Sequence, residues 1–235
     1  MRSAIFAACL ICGCGRIDFA PLTGDAFVGS GGGVGGGDPG DAGGVPSDVA
    51  PAGACGGVVL LADDFEDGAI APVWTELTGT NLTVAETAGF LQITYGSNVP
   101  ASQAAGYITT SNLDFTGTCV DVELAMAPNP ATLASAEVRI GTPTNCSVFD
   151  VTNGQLNGAQ HRGASISRMP AIPYDPVAQR HLRLREAAGV WYFEISPDGS
   201  AYTTIYTVMN SFALQTSTTL RLVASSASAV NSGGV

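Results

Sequence analysis

Val190-Trp191-Tyr192-Phe193-Glu194-Ile195-Ser196 leads into Pro197-Asp198-Gly199, and Tyr202 to Val208 follows. Both flanking runs are aromatic or β-branched, the composition of strands. The link has specific turn chemistry: Pro presets φ, Asp can bond the backbone ahead, and Gly takes the left-handed position of a bulged hairpin loop. Alternation places Trp191, Phe193 and Ile195 on one face and Val190, Tyr192 and Glu194 on the other. Working outward, the same pattern recurs at Val58 to Phe65, Phe90 to Tyr95, Ala105 to Thr110 and Thr118 to Ala127. It continues at Ala134 to Ile140, Cys146 to Thr152, Gln179 to Glu186 and Thr218 to Ala224. No long segment keeps a 3.6-residue period, so βαβ units are not indicated. About eleven short strands predict an all-β, two-sheet antiparallel sandwich over residues 58–235.

Composition narrows the function classes. Acids outnumber bases 20 to 9 in 235 residues, and every base is Arg. A nucleic-acid footprint, which needs clustered Lys and Arg, is excluded. Hydrophobic content of 46% suffices for a core,. From Pro21 to Gly57, fourteen Gly and four Pro crowd 37 residues. Such a stretch cannot offset its ordering entropy by burial, and residues 14–57 read as a disordered, Gly-rich tether. The 37 residues have a root-mean-square reach of roughly 33 Å.

The N-terminus offers an address. Met1-Arg2 precedes the apolar Ala4 to Ile11, too short to span a bilayer but suited to a secretory signal over residues 1–13,. Ile11-Cys12-Gly13-Cys14 resembles the lipobox of bacterial lipoproteins. The resemblance implies cleavage before Cys14 and lipid on its sulfur and new amino group, and hence a cell-envelope, membrane-anchored protein. Several acyl chains make a stable anchor where one is marginal.

Within the folded part, Asp63-Asp64-Phe65-Glu66-Asp67-Gly68 and Pro72-Val73-Trp74-Thr75 resemble the opening of bacterial concanavalin A-like, laminin G-like jelly-roll domains. Tyr174-Asp175-Pro176, Arg180 to Glu186 and Val190 to Gly199 are similar to the hairpin near their end. The resemblance implies a jelly roll and structural motifs, not catalytic ones. Such domains close with a strand bearing an aromatic and an Asp beside the first strand. Here the residues that would begin it are Asn231 to Val235, so one sheet edge is expected to be open, an association hazard.

Of six Cys, Cys9 and Cys12 would leave with the signal and Cys14 would be acylated, leaving Cys55, Cys119 and Cys146. If the strands at 118–127, 134–140 and 146–152 form a meander, Cys119 and Cys146 lie about 9–10 Å apart. A disulfide tolerates about 7 Å. Cys55 with Cys119 is therefore the expected bridge.

Catalytic readings are poor. Cys119-Val120-Asp121-Val122-Glu123 resembles the Glu-x-Asp-x-Glu strand of jelly-roll glycosidases, with Asp121 and Glu123 on one face, but Cys119 stands where the nucleophile belongs,. No Gly-x-Ser-x-Gly elbow accompanies the two histidines, His161 and His181,. No metal site and no cofactor are expected, with structural calcium at Asp63, Asp64, Glu66 and Asp67 as the alternative. His181, Arg183 and Arg185 form a basic stripe that could contact an acidic sugar, although pairing with acids such as Glu194 is favoured. Trp191 and Tyr192 join Arg183 and Arg185 as the weak ligand-contact set; Trp74, Tyr202 and Tyr206 are the other aromatics able to stack on a sugar. The expectation is a non-catalytic envelope lipoprotein whose sandwich binds a glycan or surface partner. The alternatives are a glycoside hydrolase-like enzyme and an assembly protein of the outer envelope.

Overall fold

The computed structural model describes residues 10–21, 61–63, 65, 67–87, 89–128, 134–212 and 218–226, with side chains from Asp63 onward. Among these residues there is no helix, and every strand pairing is antiparallel. The expected all-β sandwich is what forms. Sheet A contains β1 (Leu10–Pro21), β2 (Leu61–Asp63), β4 (Leu82–Thr87), β5 (Phe90–Tyr95) and β7 (Thr118–Leu124). It also contains β13 (His181–Ala187), β14 (Val190–Ser196) and β15 (Thr203–Met209). Its order is β15-β14-β13-β7-β1-β5-β4, with β2 paired to β1.

Sheet B contains β3 (Trp74–Leu77), β6 (Gln103–Thr109), β8 (Ala134–Gly141), β9 (Asn145–Thr152) and β10 (Gln155–Arg162). With β11 (Ser165–Arg168), β12 (Ile172–Pro173) and β16 (Thr219–Ser226), its order is β11-β10-β9-β8-β16-β6-β3, and β12 pairs β10.

Strand period two explains the packing. Val120, Val122 and Leu124 of sheet A, and Val138, Ile140, Phe149 and Val151 of sheet B, point inward to one core,. Trp191 and Phe193 lie in it fully buried, Phe193 meeting Phe149 edge-on at 5.4 Å,.

Two expectations are corrected. The meander over residues 118–152 does not exist, because β7 belongs to sheet A while β8 and β9 belong to sheet B. Cys119 and Cys146 therefore lie in different sheets. Residues 14–21, expected in the tether, are paired within sheet A as part of β1. Leu10–Cys14 pair with β5, and Cys14 and Ile17–Pro21 pair with β7. The local reason is compositional: Ile11, Ile17 and Phe19 suit a strand, and the Gly-rich run begins only after Pro21,. Ile17–Phe19 also pair with β2, so the place beside the first strand is taken by β1. Residues 1–9, 22–60 and 227–235 lie outside the described residues, and with them Cys55 and most of the tether.

Candidate functional site

The outward face of sheet B carries a groove of about 460 Å³. It is lined mainly by residues that alternate with the core positions of β8, β9, β10 and β16, and backbone register sorts the positions of this face, those beside the groove included, into rows. In one row Val223, Glu137, Asp150 and Asn157 stand opposite one another in turn; in the next, Arg221, Arg139, Val148, Ala159 and Arg168 do. Two acids thus oppose each other directly, and two arginines do so one row away. Like charges opposed across strands cost stability.

Hydrogen bonds relieve the acids only in part. Glu137 Oε2 accepts from Arg139 at 2.7 Å, and its Oε1 accepts from Ser135 Oγ, also at 2.7 Å, and from Ser225 Oγ. Asp150 Oδ2 accepts from Thr152 Oγ1 and, at 3.1 Å, from Asn157 Nδ2. Burial, joined by the charge of Glu137, pushes the Asp150 carboxyl up to about 6 against the pull of those two donors,. Desolvation lowers His161, with Arg139 and Arg168 adding to the effect, so a neutral imidazole that can donate and accept is favoured,. Among the described residues no acceptor reaches the buried Nε of Arg139 or of Arg221.

This groove was not foreseen. Its residues are single polar positions inside apolar alternation, and only register brings them together. One signal was available: Asn153-Gly154, both with positive φ, is the two-residue turn joining β9 to β10, the strand that supplies Asn157 and His161,.

The residues expected as ligand contacts lie on sheet A instead. Trp191 is a correction: at 0% exposure it stacks on Phe212 in the interior and presents no face to a ligand. Arg183 is 3% exposed, donates to Asp121 Oδ2 at 3.1 Å and lies 3.3 Å over the Tyr202 ring. Arg185 is bidentate on Glu194, at 2.6 Å for its closest bond, and covers the Tyr192 ring at 4.0 Å. Arg180 Nε donates to Glu123 at 2.6 Å. The stripe is thus a cross-strand ion-pair ladder, and Asp121 and Glu123 belong to it. Desolvation raises Asp121, opposed by Tyr202 and Arg183.

Cys119 is disulfide-bonded and Cys146 is a free, buried thiol; the expected partner, Cys55, lies outside the described residues. Burial pushes the Cys146 thiol up, the reverse of nucleophile activation,. Asp63 is occupied in holding the fold, since its Oδ1 accepts from Phe65 N and its Oδ2 from Trp74 Nε1 at 2.7 Å. Trp74 is itself buried, and Tyr206 packs 5.4 Å from Phe193. Among the described residues no three of His, Cys, Asp and Glu group as metal ligands; Asp64 and Glu66 are outside them.

No family model matches the chain, and no curated protein matches it. Among solved structures it is similar to the carbohydrate-binding module CBM66 from Bacillus subtilis. That match has 14% identity and a TM-score of 0.42, and covers 67% of this chain and 93% of that one. It is also similar to a protein of unknown function from Shewanella oneidensis MR-1. Here identity is 8% and the TM-score 0.31, with 69% of this chain and 74% of that one covered.

Proposed function

We propose that this chain is a non-catalytic, lipid-anchored protein of the bacterial cell envelope whose β-sandwich, a jelly roll of the concanavalin A-like kind, binds a glycan through the outer groove of sheet B. The observation that supports the binding surface is the opposed placement of Glu137 with Asp150, both of which line the groove. Such an arrangement burdens the fold, and groups kept at that cost in a concave site suit recognition of a ligand. Carboxylates, an amide, hydroxyls and a neutral imidazole are the donors and acceptors a polyol needs, and the groove's size suits a small ligand. A glycan array probed with the purified protein tests this. Binding that Asp150→Ala abolishes and Arg185→Ala leaves intact supports the groove; no bound glycan, or equal binding by the Asp150 variant, refutes it.

The anchor rests on Ile11-Cys12-Gly13-Cys14. Cleavage before Cys14 would divide β1 where its pairing passes from β5 to β7. Labelling with a radioactive fatty acid, with and without Cys14→Ala, tests it; an unlabelled protein refutes it.

A second reading, assembly by strand addition, is favoured by β15. This edge strand, Thr203 to Met209, has neither a charge nor a proline, and Met209 is 68% exposed,. Concentration-dependent oligomers that Ile205→Lys dissolves would favour this reading; a monomer at every concentration would dismiss it.

A further inference from the structure

We propose that the ligand of the sheet B groove is an acidic sugar, a uronic acid, whose carboxylate is held by the arginines and whose ring hydroxyls are held by the carboxylate row. This inference rests on the glycan reading above and names its substrate class.

The two rows divide the groove by charge. On one side Arg139 and Arg168 both line it, with His161 one row beyond them. On the other, Glu137, Asp150 and Asn157 line it. The acids do not neutralise this bank. Glu137 accepts one bond from Arg139, whose buried Nε has no acceptor among the described residues. Arg168 is exposed at the rim. The guanidinium of Arg168 at the exposed rim, with that of Arg139 beside it in the groove, suits a planar anion able to take two parallel bonds, and a carboxylate has that shape,. A phosphate or sulfate would meet the arginines equally, but its charge would lie against Glu137 and Asp150. A sugar ring lets the same ligand turn hydroxyls toward those acids and toward Asn157. Among the described residues no Phe, Tyr or Trp lines the groove, so no ring stacks on the sugar and the polar groups must fix its orientation.

Calorimetric titration of the purified full chain with oligomers of galacturonate, glucuronate, mannuronate and guluronate, each beside its carboxyl-reduced neutral counterpart, tests the assignment. At least one uronate should bind, more weakly at high salt, and its reduced form should bind at least about tenfold more weakly. Arg168→Met, a surface change that leaves the fold's ion pairs alone, should cost the uronate about tenfold while leaving the reduced sugar unaffected. Arg139→Met should do the same and more. Equal affinity for uronate and reduced sugar, or binding of neutral glycans alone, overturns the acidic-sugar inference and leaves glycan binding standing. Binding of neither class overturns both.

Discussion

Glu137 on β8 and Asp150 on β9 are cross-strand partners, so two carboxyl groups share one face of sheet B, flanked by Thr152 and Ser135, which also oppose each other. The fold raises Asp150 to about 6 from an ordinary value near 3.8. A carboxyl whose pKa is raised on folding contributes its full stability below the unfolded value and loses it as pH climbs through the folded one. The native state should therefore weaken between about pH 4 and pH 7 through this group. Asp150→Asn should stabilise the protein by about 1–3 kcal/mol at pH 8, and the gain should vanish near pH 4. Urea unfolding of both proteins at the two pH values checks this; a gain independent of pH would contradict it.

Arg183 should prove structural. It is buried against Tyr202 and compensates Asp121, so Arg183→Ala leaves a buried carboxylate with less compensation and should cost about 3 kcal/mol,. Asp121→Asn added to it should recover part of the loss. Ligand affinity of the folded variants should match that of the parent, since the ladder lies on the other sheet.

The turn between β13 and β14 holds Ala188 at φ +51 and Gly189 at φ +78. A two-residue turn of this kind prefers Asn before Gly, the pair that Asn153-Gly154 supplies between β9 and β10,. Ala188→Asn should raise stability by about 0.5–1 kcal/mol, and Asn153→Ala should lower it by a similar amount. Paired thermal melts would show both shifts.

Non-reducing peptide mapping should find Cys119 oxidised, with Cys55 as its partner. Cys146 should resist alkylation until the protein is denatured, because it is 1% exposed.

A chain beginning at Cys14 should differ from the full chain in one strand. Loss of Leu10–Gly13 removes the partners of Gln92–Tyr95 on one side, while β7 keeps Cys14 and Ile17–Pro21. Hydrogen exchange should show the β5 amides that face β1 losing protection, with β7 unchanged. Equal protection in both forms would mean that β5 finds another partner.

The sandwich was legible because strand alternation is local: Phe90 to Tyr95 and Val190 to Ser196 emerge with the boundaries read from residue type alone. Alternation put Trp191 on one face with Phe193 and Ile195 without saying which face is inward, and Trp191 was named as a contact, because size and aromaticity suit both uses. β3, β4 and β10 were missed, since Trp74–Leu77, Leu82–Thr87 and Gln155–Arg162 mix polar residues with few inward anchors. The groove was not legible for a different reason. Glu137, Asp150, Asn157 and Ser225 lie on four strands, and their meeting is a product of pairing order, which residue type does not encode.

The β8–β9 turn has a further effect. A two-residue slip of these strands would keep apolar residues inward, setting Val138 against Val151 and Ile140 against Phe149, and would bring Arg139 face to face with Asp150. Judged on charge alone, that misalignment is the more comfortable one. The native turn holds the observed register instead: at φ +133 Gly141 packs against Asn145 so closely that a Cβ would strike the carbonyl, so only glycine allows this close approach, and Thr142 N is tied to Asn145 O at 2.8 Å. A glycine at the end of the strand, outside the groove, thereby permits the turn that goes with a locally frustrated alignment. In the slipped register Arg139 would face Asp150 as well, and the surface would have less charge left to offer a guest.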